Sequence, residues 1–276
     1  MSVTQNFSEE LEDMVVVITG GAGILGSTIA RNLGESGGKL ALLDVDEEGL
    51  EELSGEFSRK EIKHISLKTN VLSKESLNEA REKIIDKYGR LDVLINGAGG
   101  NKSEATTGED SPFFDLSEDG LKWVFNLNFL GTLLSCQVFG EEFTNQGRGS
   151  IINISSMAAI TPLTKTPAYS AAKAAVSNFT QWLAVHMSRN YSTDIRVNAI
   201  APGFFLTQQN RYLLIDAESE ELTDRGQKII DHTPMARFGD PEDLVSTVRW
   251  LASPESEFVH GSIIPIDGGF SAFGGV

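Results

Sequence analysis

The chain has 276 residues and carries 23 Lys and Arg against 39 Asp and Glu, a formal net charge of −16. Such a surface disfavours nucleic acid, acidic membranes and an acidic carrier protein, and no apolar run approaches the roughly 20 residues that a membrane span needs. A single cysteine rules out an internal disulfide, and the 4 histidines are scattered without metal-ligand spacing, so we expect a cytoplasmic protein with no metal site.

Apolar, β-branched runs at Met14–Thr19, Lys39–Val45, Lys63–Lys68, Leu91–Asn96, Ser150–Ser155, Asp194–Ile200 and Ser262–Ile266 read as strands. Helical patterns fall between them at Ile24–Ser36, Glu47–Ser58, Lys74–Tyr88, Glu118–Asn145, Pro167–Arg189 and Pro241–Ala252. The alternation predicts an α/β fold, a Rossmann-like doubly wound sheet of seven parallel strands with helices on both faces, spanning 1–276 as a single domain. Two connections are long, 97–117 after the fourth strand and 201–239 after the sixth. Both leave the carboxyl ends of strands, where open α/β sheets bind ligands, so they should shape a substrate pocket. Cys136 lies in an apolar helical segment and reads as a buried structural thiol.

The first strand runs into Thr19-Gly20-Gly21-Ala22-Gly23-Ile24-Leu25-Gly26. From Gly21 this is Gly-x-Gly-x-x-Gly between a strand and a helix, where backbone amides and a helix N-terminus can hold a pyrophosphate. Asp44 ends the second strand, placed to accept hydrogen bonds from ribose hydroxyls, and its carboxylate would repel a 2′-phosphate. Neither the glycine loop nor Val45 supplies a cation, which favours NAD over NADP.

Farther on, Tyr169 and Lys173 stand four residues apart, sharing one face of a helix. Thr166 as N-cap and Pro167 at N1 would set Tyr169 in the first turn, where the helix dipole favours an anion. A unit charge ~5 Å from the phenol at an effective dielectric of ~20 contributes about 3 kcal/mol, roughly 2 pH units of the phenol's pKa before desolvation opposes it. Alone the pair is a weak signal.

Its companions make it specific. Thr19 and its glycine turn, Asn96-Gly97-Ala98-Gly99, Asn128, Ser156, Tyr169, Lys173, and Pro202-Gly203 with Thr207 stand in an order that resembles the short-chain dehydrogenase/reductase family over nearly the whole chain. The resemblance implies a nicotinamide cofactor, a catalytic tetrad of Asn128, Ser156, Tyr169 and Lys173, and a homotetramer or dimer. It implies proton exchange by Tyr169, a Lys173 that lowers the Tyr169 pKa and binds the nicotinamide ribose, substrate orientation by Ser156, and an Asn128-held water linking Lys173 to solvent. It also implies cofactor contacts from Gly20, Gly21, Gly23, Ile24, Leu25, Gly26, Asp44, Asn70, Val71, Asn96, Gly97, Ala98, Pro202, Gly203 and Thr207. The chain departs from the usual pattern at Ile24, where the family has glycine, at Asn70 for aspartate, and at Gly97 for a second asparagine.

Several stretches resemble the D-mannonate oxidoreductase subgroup, also called fructuronate reductases. They are Gly99-Gly100-Asn101 with Ala105-Thr106-Thr107, Asn128-Phe129-Leu130-Gly131-Thr132, Gly203-Phe204-Phe205-Leu206-Thr207 with Gln209-Asn210-Arg211, His232-Thr233-Pro234-Met235, and the tail from Gly268 to Phe273. A sugar-acid substrate needs a carboxylate partner and hydroxyl partners, for which Asn101, Lys102, Thr106, Thr107, Gln208, Asn210 and Arg211 have suitable chemistry beside Ser156. Arg211, able to bind a carboxylate bidentately, is the first choice. Phe204, Phe205, Tyr212, Leu213, Leu214 and Ile215 give the second long segment an apolar stripe that could close over substrate. Gluconate 5-dehydrogenase and 3-oxoacyl carrier-protein reductase are the neighbouring readings. From another class, a nucleotide-binding scaffold without catalysis would be expected to have a damaged tetrad.

Overall fold

The computed structural model describes residues 11–207, 211–217 and 219–275. Seven strands form one sheet in the order β3-β2-β1-β4-β5-β6-β7, every neighbouring pair parallel. They are β1 Val15–Thr19, β2 Lys39–Asp44, β3 His64–Lys68, β4 Val93–Asn96, β5 Gly149–Ile154, β6 Ile195–Pro202 and β7 Ile263–Ile266. The chain winds outward from β1 to β3 and then crosses back to β4 on the other side of β1. That reversal opens a crevice at the carboxyl ends of β1 and β4, the place where such sheets take ligands.

Helices α1 Ile24–Glu35, α2 Glu47–Arg59 and α3 Lys74–Tyr88 fall where the sequence puts them. Successive strand residues face opposite sides of the sheet. Val16, Ile18, Leu40 and Leu42 join one apolar cluster with Ile29 and Leu33 of α1. Val15, Val17, Ala41 and Leu43 join a second with Leu77 and Ile84 of α3. Near-continuous apolar strands are therefore the mark of a sheet covered on both faces.

The helix expected over Glu118–Asn145 is not continuous. It consists of α4 Glu118–Phe125, a π-helical turn Asn126–Leu130, and α5 Gly131–Gln146. The cause is Asn128, whose Nδ2 donates to the Val124 carbonyl at 2.7 Å, the acceptor its own amide would use in an α-helix. The Gly131 amide then donates to the Asn126 carbonyl, five residues back. Next comes α6 Pro167–Asn190, where Thr166 occupies the N-cap position but makes no side-chain cap. Its hydroxyl is buried without a partner among the described residues, contrary to the expected cap.

The long 201–239 connection holds two helices that the sequence reading missed, α7 Arg211–Leu214 and α8 Asp224–His232. Its ends are tied together: the Leu206 amide donates to the Gly239 carbonyl at 3.0 Å and the Gly239 amide to the Phe204 carbonyl at 2.8 Å. Pro241–Leu244 forms a 3-10 turn before α9 Val245–Ala252. No helix among the described residues is long and apolar enough to cross a membrane.

Candidate active site

The glycine turn is built by close backbone packing. Gly20 adopts φ +69°, and a Cβ there would meet the Ala98 amide nitrogen at 2.8 Å, while one on Gly26 would run into the Gly20 carbonyl oxygen. Thr19 clamps the opposite wall, its carbonyl accepting from the Gly97 amide at 3.0 Å and its hydroxyl from the Ala98 amide at 3.3 Å. Gly23 begins α1 without a side-chain cap, so the first-turn amides of Ile24, Leu25 and Gly26 remain open to an anion. Gly21 is locked to β2 through a bond from its amide to the Leu43 carbonyl.

Asp44 lies beside this turn, with Oδ2 accepting from the Ala22 amide at 3.0 Å and Oδ1 from the Val45 amide at 2.8 Å. One carboxylate thus fixes both the glycine turn and its own position at the end of β2. Asn70 is exposed at the end of β3, its Oδ1 accepting from the Leu72 amide. Val71 is buried in the cluster below. Asn96 turns inward: its Nδ2 donates to Asn153 Oδ1 at 2.8 Å and to Cys136 Sγ at 3.2 Å. That side chain braces β4 against β5 rather than facing the crevice. Cys136 is the buried thiol expected, and burial pushes its pKa up to about 12.

Pro202 ends β6, and the Gly203 amide donates to the Ile266 carbonyl at 2.9 Å. A Cβ on Gly203 would sit 2.7 Å from Asp267 Cα, so the chain can turn there only without a side chain. Thr207 follows within the same segment, its carbonyl accepting from the Arg211 amide.

The four residues of the expected tetrad converge around the turn after β4. Ser156 is the second residue after β5 and is 7 % exposed, its Oγ accepting from the Ala158 amide at 3.1 Å. Lys173, 4 % exposed, donates from Nζ to the Ile154 carbonyl at 2.8 Å and stands 5.7 Å from the Tyr169 ring centre. Asn128 is fully buried. Its Nδ2 donates to the Gly100 carbonyl at 2.7 Å, and its Oδ1 accepts from the Gly100 amide at 3.2 Å. A Cβ on Gly99 would lie 2.7 Å from Asn128 Oδ1 and 3.3 Å from Lys173 Nζ. Gly99 is therefore the spacer between those two side chains, and the Gly99-Gly100 pair after a strand was the available signal for it.

One expectation is reversed. Burial holds the Tyr169 phenol above its ordinary pKa, with the Ser156 hydroxyl acting in the other direction. Desolvation outweighs the neighbouring Lys173, whose ammonium is directed at the Ile154 carbonyl and is itself disfavoured by burial, which brings its pKa from 10.5 to about 8. Tyr169 in this structure is a protonated acid with a hydroxyl beside it.

Among the substrate candidates, Asn101 Nδ2 donates to Thr106 Oγ1 at 2.8 Å, and Lys102 Nζ lies 4.3 Å over the Trp123 ring. Arg211 is exposed at the start of α7 and enters no ion pair among the described residues. Gln208 and Asn210 lie outside the described residues, as do the side chains of Tyr212 and Leu213.

Comparison with known proteins agrees with this geometry. The family model described as enoyl-(acyl carrier protein) reductase matches residues 21–271. An uncharacterized oxidoreductase of Haemophilus influenzae is 46% identical and covers 100% of both chains. The uncharacterized oxidoreductase UxuB of Bacillus subtilis is 47% identical over 97% of this chain and 98% of its own. A crystal structure from Haemophilus influenza, with bound NAD and the provisional name D-mannonate oxidoreductase, superposes with a TM-score of 0.91 at 46% identity. It covers 98% of this chain and 99% of the other.

Proposed function

Because the chain belongs to the short-chain dehydrogenase/reductase family of oxidoreductases, we propose that it interconverts a keto sugar acid and its hydroxy acid with NAD(H), D-fructuronate and D-mannonate being the pair. The observation that carries the reaction class is the gathering of Ser156, Tyr169 and Lys173 from the end of β5 and the first two turns of α6, beside the glycine turn. The residues fit a dinucleotide: the uncapped first turn of α1 suits a pyrophosphate, and Asp44, held by the Ala22 amide, suits two ribose hydroxyls. Its charge, with no cation in the loop or at Val45, favours NAD over NADP. The NAD bound by the Haemophilus protein supports the same preference.

A bound nicotinamide supplies or accepts the hydride. Tyr169 gives its proton to the substrate oxygen during carbonyl reduction and takes it back during oxidation. Ser156 orients that oxygen with its hydroxyl. Lys173 holds the nicotinamide ribose and, as an ammonium, favours the phenolate left when the proton departs. Asn128 fixes the Gly99–Gly100 backbone against Lys173 and connects that ammonium to solvent through a water. Arg211 takes the substrate carboxylate, with Lys102 and Asn101 in the facing loop, and the 201–239 segment closes over both.

The protein works as a cytoplasmic homotetramer in this reading. Trp182 and Val185 are exposed at 56% and 59% on α6, and Phe129, Phe179, Trp182 and His186 form a continuous aromatic row. Light scattering on an eluting peak tests it, and a clean monomer refutes the assembly. For the reaction, NADH and NADPH oxidation is followed with fructuronate, tagaturonate, 5-ketogluconate and an acetoacetyl thioester. Turnover with NADH and fructuronate is expected; turnover confined to NADPH and the thioester overturns both substrate and cofactor. Tyr169→Phe should remove turnover and leave NADH binding intact.

A further inference from the structure

The last residue of β5 and the two that follow it address the reacting helix one after another. Ile154 accepts the Lys173 ammonium on its carbonyl at 2.8 Å. Two residues on, the Ser156 hydroxyl acts on the Tyr169 phenol. Between them stands Ser155, 2 % exposed, with its amide donating to the Ile200 carbonyl of β6 at 2.8 Å. Its side chain crosses to α6, where Oγ donates to the Lys173 carbonyl at 3.1 Å and meets Ser177 Oγ at 2.7 Å. A hydroxyl carries one proton. Since the Ser155 proton goes to the Lys173 carbonyl, Ser177 must donate to Ser155, and the order Ser177, Ser155, Lys173 is fixed.

We propose that Ser155 is a positioning residue for the dehydrogenase reaction: it pins the backbone of Lys173 to the end of β5, so that the ammonium meets the Ile154 carbonyl and Tyr169 meets Ser156 in one register. Lys173 is thereby held at both ends by consecutive residues, the ammonium by Ile154 and the carbonyl by Ser155. Without the hydroxyl, α6 is held to β5 less closely at Lys173, the Asn153 Nδ2 to Thr180 Oγ1 bond lying about two turns farther along the helix, and a displacement of well under an ångström is enough to lengthen an ammonium–carbonyl bond of ordinary length. The groups facing the ammonium are the Tyr169 ring on its own helix, the Asn128 amide beside Gly99, and the Ile154 carbonyl on β5. Tyr169 is the titratable one among them, and no carboxylate contributes to the behaviour of Lys173.

The inference rests on the dehydrogenase chemistry of the proposed function but not on its sugar-acid substrate, so two readouts are paired. In Ser155→Ala, kcat with the carbonyl compound that the wild type reduces should fall about tenfold. The alkaline limb of the rate profile should move to lower pH by about half a unit or more, because the ammonium loses an acceptor that favours its charged form. NADH affinity measured across pH by fluorescence should show the same displacement, and it reads Lys173 without any substrate. A wild type inactive on every sugar acid defeats the substrate reading alone. Ser155→Cys keeps the volume while weakening the donor, and should reproduce both effects if the alanine variant does not fold. A folded variant with an unmoved limb and kcat within twofold of wild type overturns the proposal. So does a limb moving to higher pH, which would mean that Ser155 only keeps water out.

Discussion

Replacing Lys173 with methionine should silence the protein and stabilise it. Lys173 is 4 % exposed with its ammonium bound to one carbonyl, and burial lowers its pKa from 10.5 to about 8. At ~1.36 kcal/mol per pH unit, holding this lysine charged inside the fold costs about 3 kcal/mol at neutral pH. Methionine has similar bulk and no charge, but leaves the Ile154 carbonyl without that donor, a loss of about 1 kcal/mol. The expected net gain is about 2 kcal/mol near pH 7, or ~4–8 °C in Tm for a chain of this size. Between about pH 8 and 10.5 the unfolded chain keeps a proton on Lys173 that the folded chain has released, so wild-type stability rises with pH through that window relative to the variant. By about pH 9.5 roughly 2 kcal/mol of the cost has been relieved and the two proteins should be nearly equal. Urea unfolding of the cofactor-free protein at both pH values measures this. A variant less stable than wild type near neutrality, or a gap that does not narrow in alkali, refutes the reasoning.

Other outcomes follow from single contacts. Asp44→Ala removes the acceptor of the Ala22 amide and the repulsion toward a 2′-phosphate; NADH should bind about tenfold more weakly and NADPH no more weakly than before, by fluorescence titration. Gly99→Ala puts a methyl 2.7 Å from Asn128 Oδ1 and 3.3 Å from Lys173 Nζ; kcat should fall at least tenfold while thermal stability changes by only a few degrees. Asn128→Ala leaves the Gly100 amide, Gly100 carbonyl and Val124 carbonyl without this partner and should cost about 2–4 kcal/mol in denaturant unfolding. Cys136 should resist thiol reagents in the native protein near pH 8, since burial keeps it protonated to about pH 12; rapid labelling of the folded protein would contradict its placement.

All seven strands lie within two residues of where the sequence puts them, because a sheet covered on both faces writes itself as uninterrupted Val, Ile and Leu. The helices α1 to α3 were as plain, bounded by Gly23, Asp46 and Ser73 at their starts. The π turn at Asn128 was not legible, since it depends on one side chain taking a carbonyl that the backbone pattern assigns to an amide. Helices α7 and α8 are not legible either, having only four and nine residues. The four proposed catalytic residues stand in a recognisable residue order, but their electrostatics are not legible in it. Four-residue spacing puts Lys173 near Tyr169; it does not show that both are buried or that the ammonium turns to Ile154. Likewise, Asn96 belongs to a recognisable motif, yet its side chain serves the core.

The pinch between Phe204, Leu206 and Gly239 bears on how such a protein can change its diet. Everything from Thr207 to Phe238 leaves and returns through one pair of backbone bonds, where Gly239 also makes room for the Phe205 ring at 2.7 Å from its would-be Cβ. Changing the length of the segment inside that knot costs little closure entropy, since doubling a loop adds only ~0.6 kcal/mol, but its far end is also tied to the tail by the Met235 amide on the Gly268 carbonyl and by His232 against Phe270. The proposed catalytic residues after β5 and on α6 lie outside the knot. Under the proposed function, new substrates are tried by rewriting that segment ahead of its tie to the tail, with Gly239 kept because a Cβ there would meet the Phe205 ring.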